Sequence, residues 1–121
     1  MVRAQGSPIN SSWQQFIKLA TIRNPTQIFV FLDEHPDSIN DGWFVFCTAA
    51  DPAETATWSD LPASSHHGAC GFSFADGHSE IKKWRNSTTI RGVYKNTSDF
   101  PVPTRSQFDD IRWVAQRTTY Q

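Results

Sequence analysis

All four histidines of this 121-residue chain, and many of its aspartates, fall in two short stretches. The first holds Asp33-Glu34-His35-Pro36-Asp37 and runs on to Asp41. The second begins at His66-His67 and ends at Asp76-Gly77-His78. Imidazole and carboxylate together suit zinc or another divalent ion, so convergence of Asp33, His35, His66, Asp76 and His78 would make a small metal site, open to hydrolytic chemistry. Asp33, Glu34, Asp37 and Asp41 also bring four carboxylates into nine residues, the oxygen donors that calcium takes. Their spacing is not that of an EF-hand loop, and a solvated acidic loop is the plainer use of such a run. Asp76 likewise has a structural use in a turn, and Asp33 can bond loop amides. No cofactor is required by these residues; calcium and zinc stand as alternatives.

For covalent catalysis, His66, His67 and His78 are candidate bases, and Ser64, Ser65 and Cys70 candidate nucleophiles. No nucleophile-elbow pattern accompanies them. Gly68-Ala69-Cys70-Gly71 lacks the Lys-Ser/Thr and helix of a phosphate loop. The residues therefore point away from an enzyme.

The elements that must position these groups follow from patterning. Trp13, Phe16, Ile17 and Ala20 predict a short N-terminal helix behind Ser12, stopped at Asn24-Pro25. Thr26 to Asp33 predicts a strand apolar on both faces, hence central in a covered sheet. Trp43 to Thr48 predicts a second strand, and Ala49 to Ser65 a long surface loop. Cys70–Ala75 and His78–Trp84 predict a hairpin closed by Asp76-Gly77 as a type I′ turn. Pairing outward from that turn sets Phe74 against Ser79 and Phe72 against Ile81, with Phe72, Phe74 and Ile81 on one face. Residues 85–105 read as irregular. Ser106 to Thr118 predicts a terminal helix capped by Ser106 and docked through Phe108, Ile111 and Ala115.

The sum is one α+β domain over residues 1–121: an antiparallel meander of about four strands with a helix at each end. Nine Phe, five Trp and two Tyr predict an aromatic core. The formal net charge is −1 and no basic stripe occurs, which disfavours nucleic acid as a partner. The longest apolar run, Ile28 to Leu32, is far short of a membrane span. Cys47 and Cys70 lie in predicted strands; neighbouring strands would permit a disulfide, and two buried thiols are the alternative.

Three blocks of this chain resemble the C-terminal globular region of bacterial prepilin-type, pseudopilin-like proteins. One runs from Ile22-Arg23-Asn24-Pro25 through Phe29-Val30-Phe31-Leu32-Asp33-Glu34-His35 to Gly42. The next joins Leu61-Pro62-Ala63-Ser64 to the His-x9-Asp-Gly motif (His66, Asp76, Gly77) and on to Trp84. The last is Asp109-Asp110-Ile111-Arg112-Trp113-Val114-Ala115-Gln116-Arg117-Thr118-Thr119. The resemblance implies a pilin-like head acting non-enzymatically in type II secretion or a surface filament, through contacts with pseudopilin-like subunits or its own copies. It implies an exported, periplasmic or cell-surface setting, with membrane attachment only through an N-terminal apolar helix. That helix and the first part of the head are not in this chain, so a truncated head is expected.

Overall fold

The computed structural model describes residues 16–46, 56–96 and 98–118. Five strands and one α-helix follow in order: β1 (Phe29–Leu32), β2 (Thr57–Trp58), β3 (Ala69–Phe74), β4 (Ser79–Lys83), β5 (Val102–Pro103) and α1 (Asp109–Ala115). They form a mixed α/β structure with two antiparallel sheets, one of order β1-β3-β4 and one pairing β2 with β5. The expected single meander is thus replaced by a three-stranded sheet and a separate two-stranded ribbon.

The strand at residues 29–32 is an edge, not the centre; β3 takes the middle. The register of β1 on β3 shifts between Phe29 and Phe31, where Phe29 pairs with Phe74 and Phe31 with Ser73. This irregularity lets Phe29, 2% exposed, face the core while Phe31, 58% exposed, faces outward. A strand that reads as apolar on both faces is therefore covered on one.

The hairpin forms as expected, but its register is one residue away. Phe72 pairs with Glu80 and Gly71 with Ile81. The amide of Phe74 donates to the carbonyl of His78, and that of Gly77 donates to the carbonyl of Phe74. Three residues, not two, lie in the loop, and only Gly77 has positive φ, at 94°. This is the three-residue turn in which a left-handed glycine closes the ladder. A one-residue slip moves side chains to the opposite face. Ile81 accordingly leaves the core set predicted for it and is 78% exposed.

Under the sheet, Phe29, Phe72 and Phe74 meet α1 and the segment 57–63. Residues expected in a surface loop are among the best buried, with Trp58 and Leu61 at 0% exposure. Trp58, Trp84, Phe72 and Trp113 form a run of edge-on rings with centroids 5.1–6.5 Å apart. Such geometry suits the positive ring edge against the negative ring face. Helix α1 buries Ile111, Val114 and Ala115, one stripe at helical spacing.

Ser106 is not its cap; it has φ of 65°, and Phe108 occupies the N-cap position without a side-chain bond. Asn86 replaces it from outside the helix, its Oδ1 accepting from the Asp110 amide at 3.0 Å. The N-terminal helix is also corrected: between residues 16 and 24, the described part of its predicted span, a 3-10 turn at Leu19–Thr21 stands in its place. Ile17 is 87% exposed, so the apolar docking that would hold so short a helix is missing. Ser12 and Trp13 lie outside the described residues. No strand forms over Trp43–Phe46; there the Val45 amide donates to Asp60 Oδ2, and the Asp60 amide to the Val45 carbonyl. The end of that predicted strand, Cys47 included, is outside the described residues.

Candidate functional site

The His-x9-Asp-Gly spacing has a direct structural meaning: two turns bracketing β3. His66 sits in the turn before the strand, where the Gly68 amide donates to the Ser64 carbonyl and His67 and Gly68 both have positive φ. Asp76 and Gly77 make the turn after it. The six residues of β3 hold the two ends about 20 Å apart. His66 and Asp76 therefore serve separate places.

Asp76 Oδ1 accepts from the backbone amide of His78 at 3.1 Å and also contacts His78 Nδ1. The other ring nitrogen of His78 lies 3.1 Å from Glu80 Oε1, and the ring stacks on Phe74 at 4.4 Å. Asp76 and then Glu80 raise the His78 pKa, and the Asp76 carboxyl is lowered in return. These contacts lock the hairpin tip.

His66 Nε2 stands 3.5 Å from Asp33 Oδ2, both groups well exposed. Asp33 lies over Gly71, where a Cβ would come within 3.1 Å of the carboxylate. A glycine at that position leaves room for the pair. The same outer face of the β1-β3-β4 sheet carries two rows: Phe31, Ser73 and Ser79, then Asp33, Gly71 and Ile81. Small residues on the central strand thus separate two exposed apolar side chains, with the polar Asp33–His66 contact at the rim. Phe31 and Ile81 were expected in the core. Only the shift in β1 and the slipped hairpin register place them here, and neither leaves a mark on local composition.

The acidic loop ties distant backbone segments together. His35 is buried; its Nε2–H donates to the Arg91 carbonyl at 3.1 Å, and its Nδ1 accepts from the Asp37 amide. Asp37 accepts from the amides of Tyr94 and Lys95, both at 2.8 Å. Those amides, Tyr94 first, hold its carboxyl below the usual range. Ser64 adds a further tie, its hydroxyl donating to the Arg91 carbonyl. Together they pin residues 91–95 against 34–38. Asp41 accepts from the Trp43 amide at 2.7 Å, a local turn bond. Among the described residues no three His, Cys, Asp or Glu side chains gather as a metal site would require. Cys70 is a buried free thiol, pushed up to about 12 chiefly by burial, and its Sγ–H donates to the Asp33 carbonyl.

Glu34 is the titrating group of this region. Burial first, opposed by the Ser38 hydroxyl and reinforced by Asp60 and Asp41, raises its pKa to about 7. The folded chain then holds a proton that the unfolded chain has released, between pH 4.5 and about 7. Stability is fullest below that window and falls as pH rises through it. Allowing for solvent at this half-buried site, the loss is ~1–2 kcal/mol. In denaturant titrations at successive pH values, Glu34→Gln is expected to remove this part of the decline. A parallel pair of curves for variant and parent would contradict the assignment.

No protein-family model, no curated protein and no solved structure matches this chain.

Proposed function

We propose that this chain is a non-enzymatic, pseudopilin-like head domain that works by protein–protein contact, with the outer face of the β1-β3-β4 sheet as its contact surface. The observation that carries this reading is the exposed pair Phe31 and Ile81 set across the small residues Gly71 and Ser73. Apolar and aromatic anchors inside a polar rim are the usual anatomy of a protein contact, and the Asp33–His66 pair supplies such a rim. Support also comes from the resemblance of residues 22–42, 61–84 and 109–119 to prepilin-type heads. An antiparallel sheet backed by a C-terminal helix fits that plan. The partner is a like subunit, and an exported setting belongs to the same reading. Among the described residues no helix is long and apolar enough to cross a membrane.

The test is sedimentation velocity of the purified chain over a rising concentration series, beside the double variant Phe31→Asp, Ile81→Asp. Both positions are exposed, so the variant should keep the circular dichroism of the parent. Self-association of the parent, abolished in the variant, is the expected result. A parent that stays monomeric to millimolar concentration, or a variant that associates equally well, would overturn the reading.

A further inference from the structure

A second surface, apart from that face, is the open edge of β4. In the sheet order, β3 covers one side of β4 and no described strand pairs with the other. The Phe74 amide donates to the His78 carbonyl at one end of the ladder, and the Trp84 amide to the Gly68 carbonyl at the other. Antiparallel bonding alternates, so Glu80 and Lys82 bond inward while the N–H and C=O of Ser79, Ile81 and Lys83 point away from the sheet.

Edge strands are commonly guarded by lysines that project past them. Lys82 does the opposite. Its ammonium turns back over the rings of Trp84 and Trp113, 5.8 and 5.4 Å from their centroids, and lies 3.9 Å from Asp110. Its side chain is only 16% exposed. The edge is left beside an open groove of about 470 Å³, walled by residues 80–85 and Trp113. Arg117 stacks on Trp113 at 4.2 Å and braces that wall.

The groove carries positive charge to spare. Glu80 is engaged by His78, whereas Lys83 and Arg85 are exposed and have no carboxylate partner among the described residues. We infer that this edge receives an extended acidic segment of a partner protein as an added strand. Its backbone would bond to Ser79, Ile81 and Lys83, and its carboxylates would meet Lys83 and Arg85.

The test uses a blocked seven-residue peptide alternating glutamate and valine. Binding is followed by tryptophan fluorescence and by amide shifts and hydrogen exchange in NMR. Saturable binding is expected, with slowed exchange at the amides of Ser79, Ile81 and Lys83. The double variant Lys83→Glu, Arg85→Glu should bind at least tenfold more weakly, as should a peptide N-methylated at alternate amides. A lysine–valine peptide should not bind. No saturable binding, equal binding of the N-methylated peptide, or equal binding of the lysine peptide would each overturn the inference. The Phe31→Asp variant alters β1, at the opposite edge of the sheet, so it should bind the acidic peptide as the parent does, whether or not the sheet face mediates assembly.

Discussion

Asp110→Ala is expected to destabilise the chain by ~3–5 kcal/mol, a large share of the roughly 5–15 kcal/mol available to a domain of this size. The carboxylate is fully buried and accepts from two backbone amides: Arg85 at 3.1 and 3.0 Å, and Asn86 at 2.8 Å. Its own amide donates to Asn86 Oδ1, so the first turn of α1 and the strand exit after β4 clasp each other. Removing the carboxylate leaves two amides unsatisfied, each costing about 1–3 kcal/mol, and strips Lys82 of its nearest anion. Asp110→Asn keeps the shape and one acceptor and should lose less than half as much. Denaturant unfolding of the three proteins checks this ordering. Equal stability of parent and alanine variant would show that the clasp is not formed.

Trp84→Ala is the second large effect, also ~3–5 kcal/mol, or a fall in Tm of roughly 10–20 °C. Trp84 is 3% exposed and touches three rings edge-on, those of Trp58, Phe72 and Trp113. Its Nε1–H also donates to the Ala63 carbonyl at 2.8 Å. Truncation opens a cavity where the sheet, α1 and the 57–63 segment meet, and orphans that carbonyl. Trp84→Phe refills most of the space but not the bond, so about 1–2 kcal/mol should remain lost. Thermal unfolding by circular dichroism separates the two contributions. Equal losses for Ala and Phe would assign the effect to the hydrogen bond and not to packing.

The readable parts of this fold are those determined over a few residues. Asp76-Gly77 between apolar segments announces the hairpin, and the spacing of Phe108, Ile111 and Ala115 announces α1, although Phe108 turns out to stand at its N-cap position. What failed depended on distant partners. Whether the hairpin loop has two residues or three is decided by how β3 seats on β1 and the core, and that choice turned Ile81 from core to surface. Phe29 and Phe31 look equivalent in the chain; the register shift on β3 separates them. The strand at Thr57–Trp58 has no period to detect, since it exists only by pairing with Val102–Pro103.

The chemistry-bearing residues also have partners that the local sequence does not announce. His35 and Asp37 sit in a motif that suits a metal, yet their partners are Arg91, Tyr94 and Lys95, more than fifty residues away in the chain. The cap of α1 comes from Asn86, 24 residues before the amide it receives. Only Asp33 and His66, among the candidate ligands from different segments, were brought together, and they meet at the edge of the proposed contact face.

That face is tested most directly by placing a photoreactive phenylalanine at position 31, a second at 81 and a control at Asn40, which is exposed in the acidic loop. Each purified chain is irradiated at a concentration where the parent associates, and the crosslinked peptides are identified by mass spectrometry. Crosslinks between copies from positions 31 and 81, with none above background from position 40, are the expected result. Crosslinking from position 40 alone, or equally from all three, would contradict the assignment of the sheet face as the contact surface.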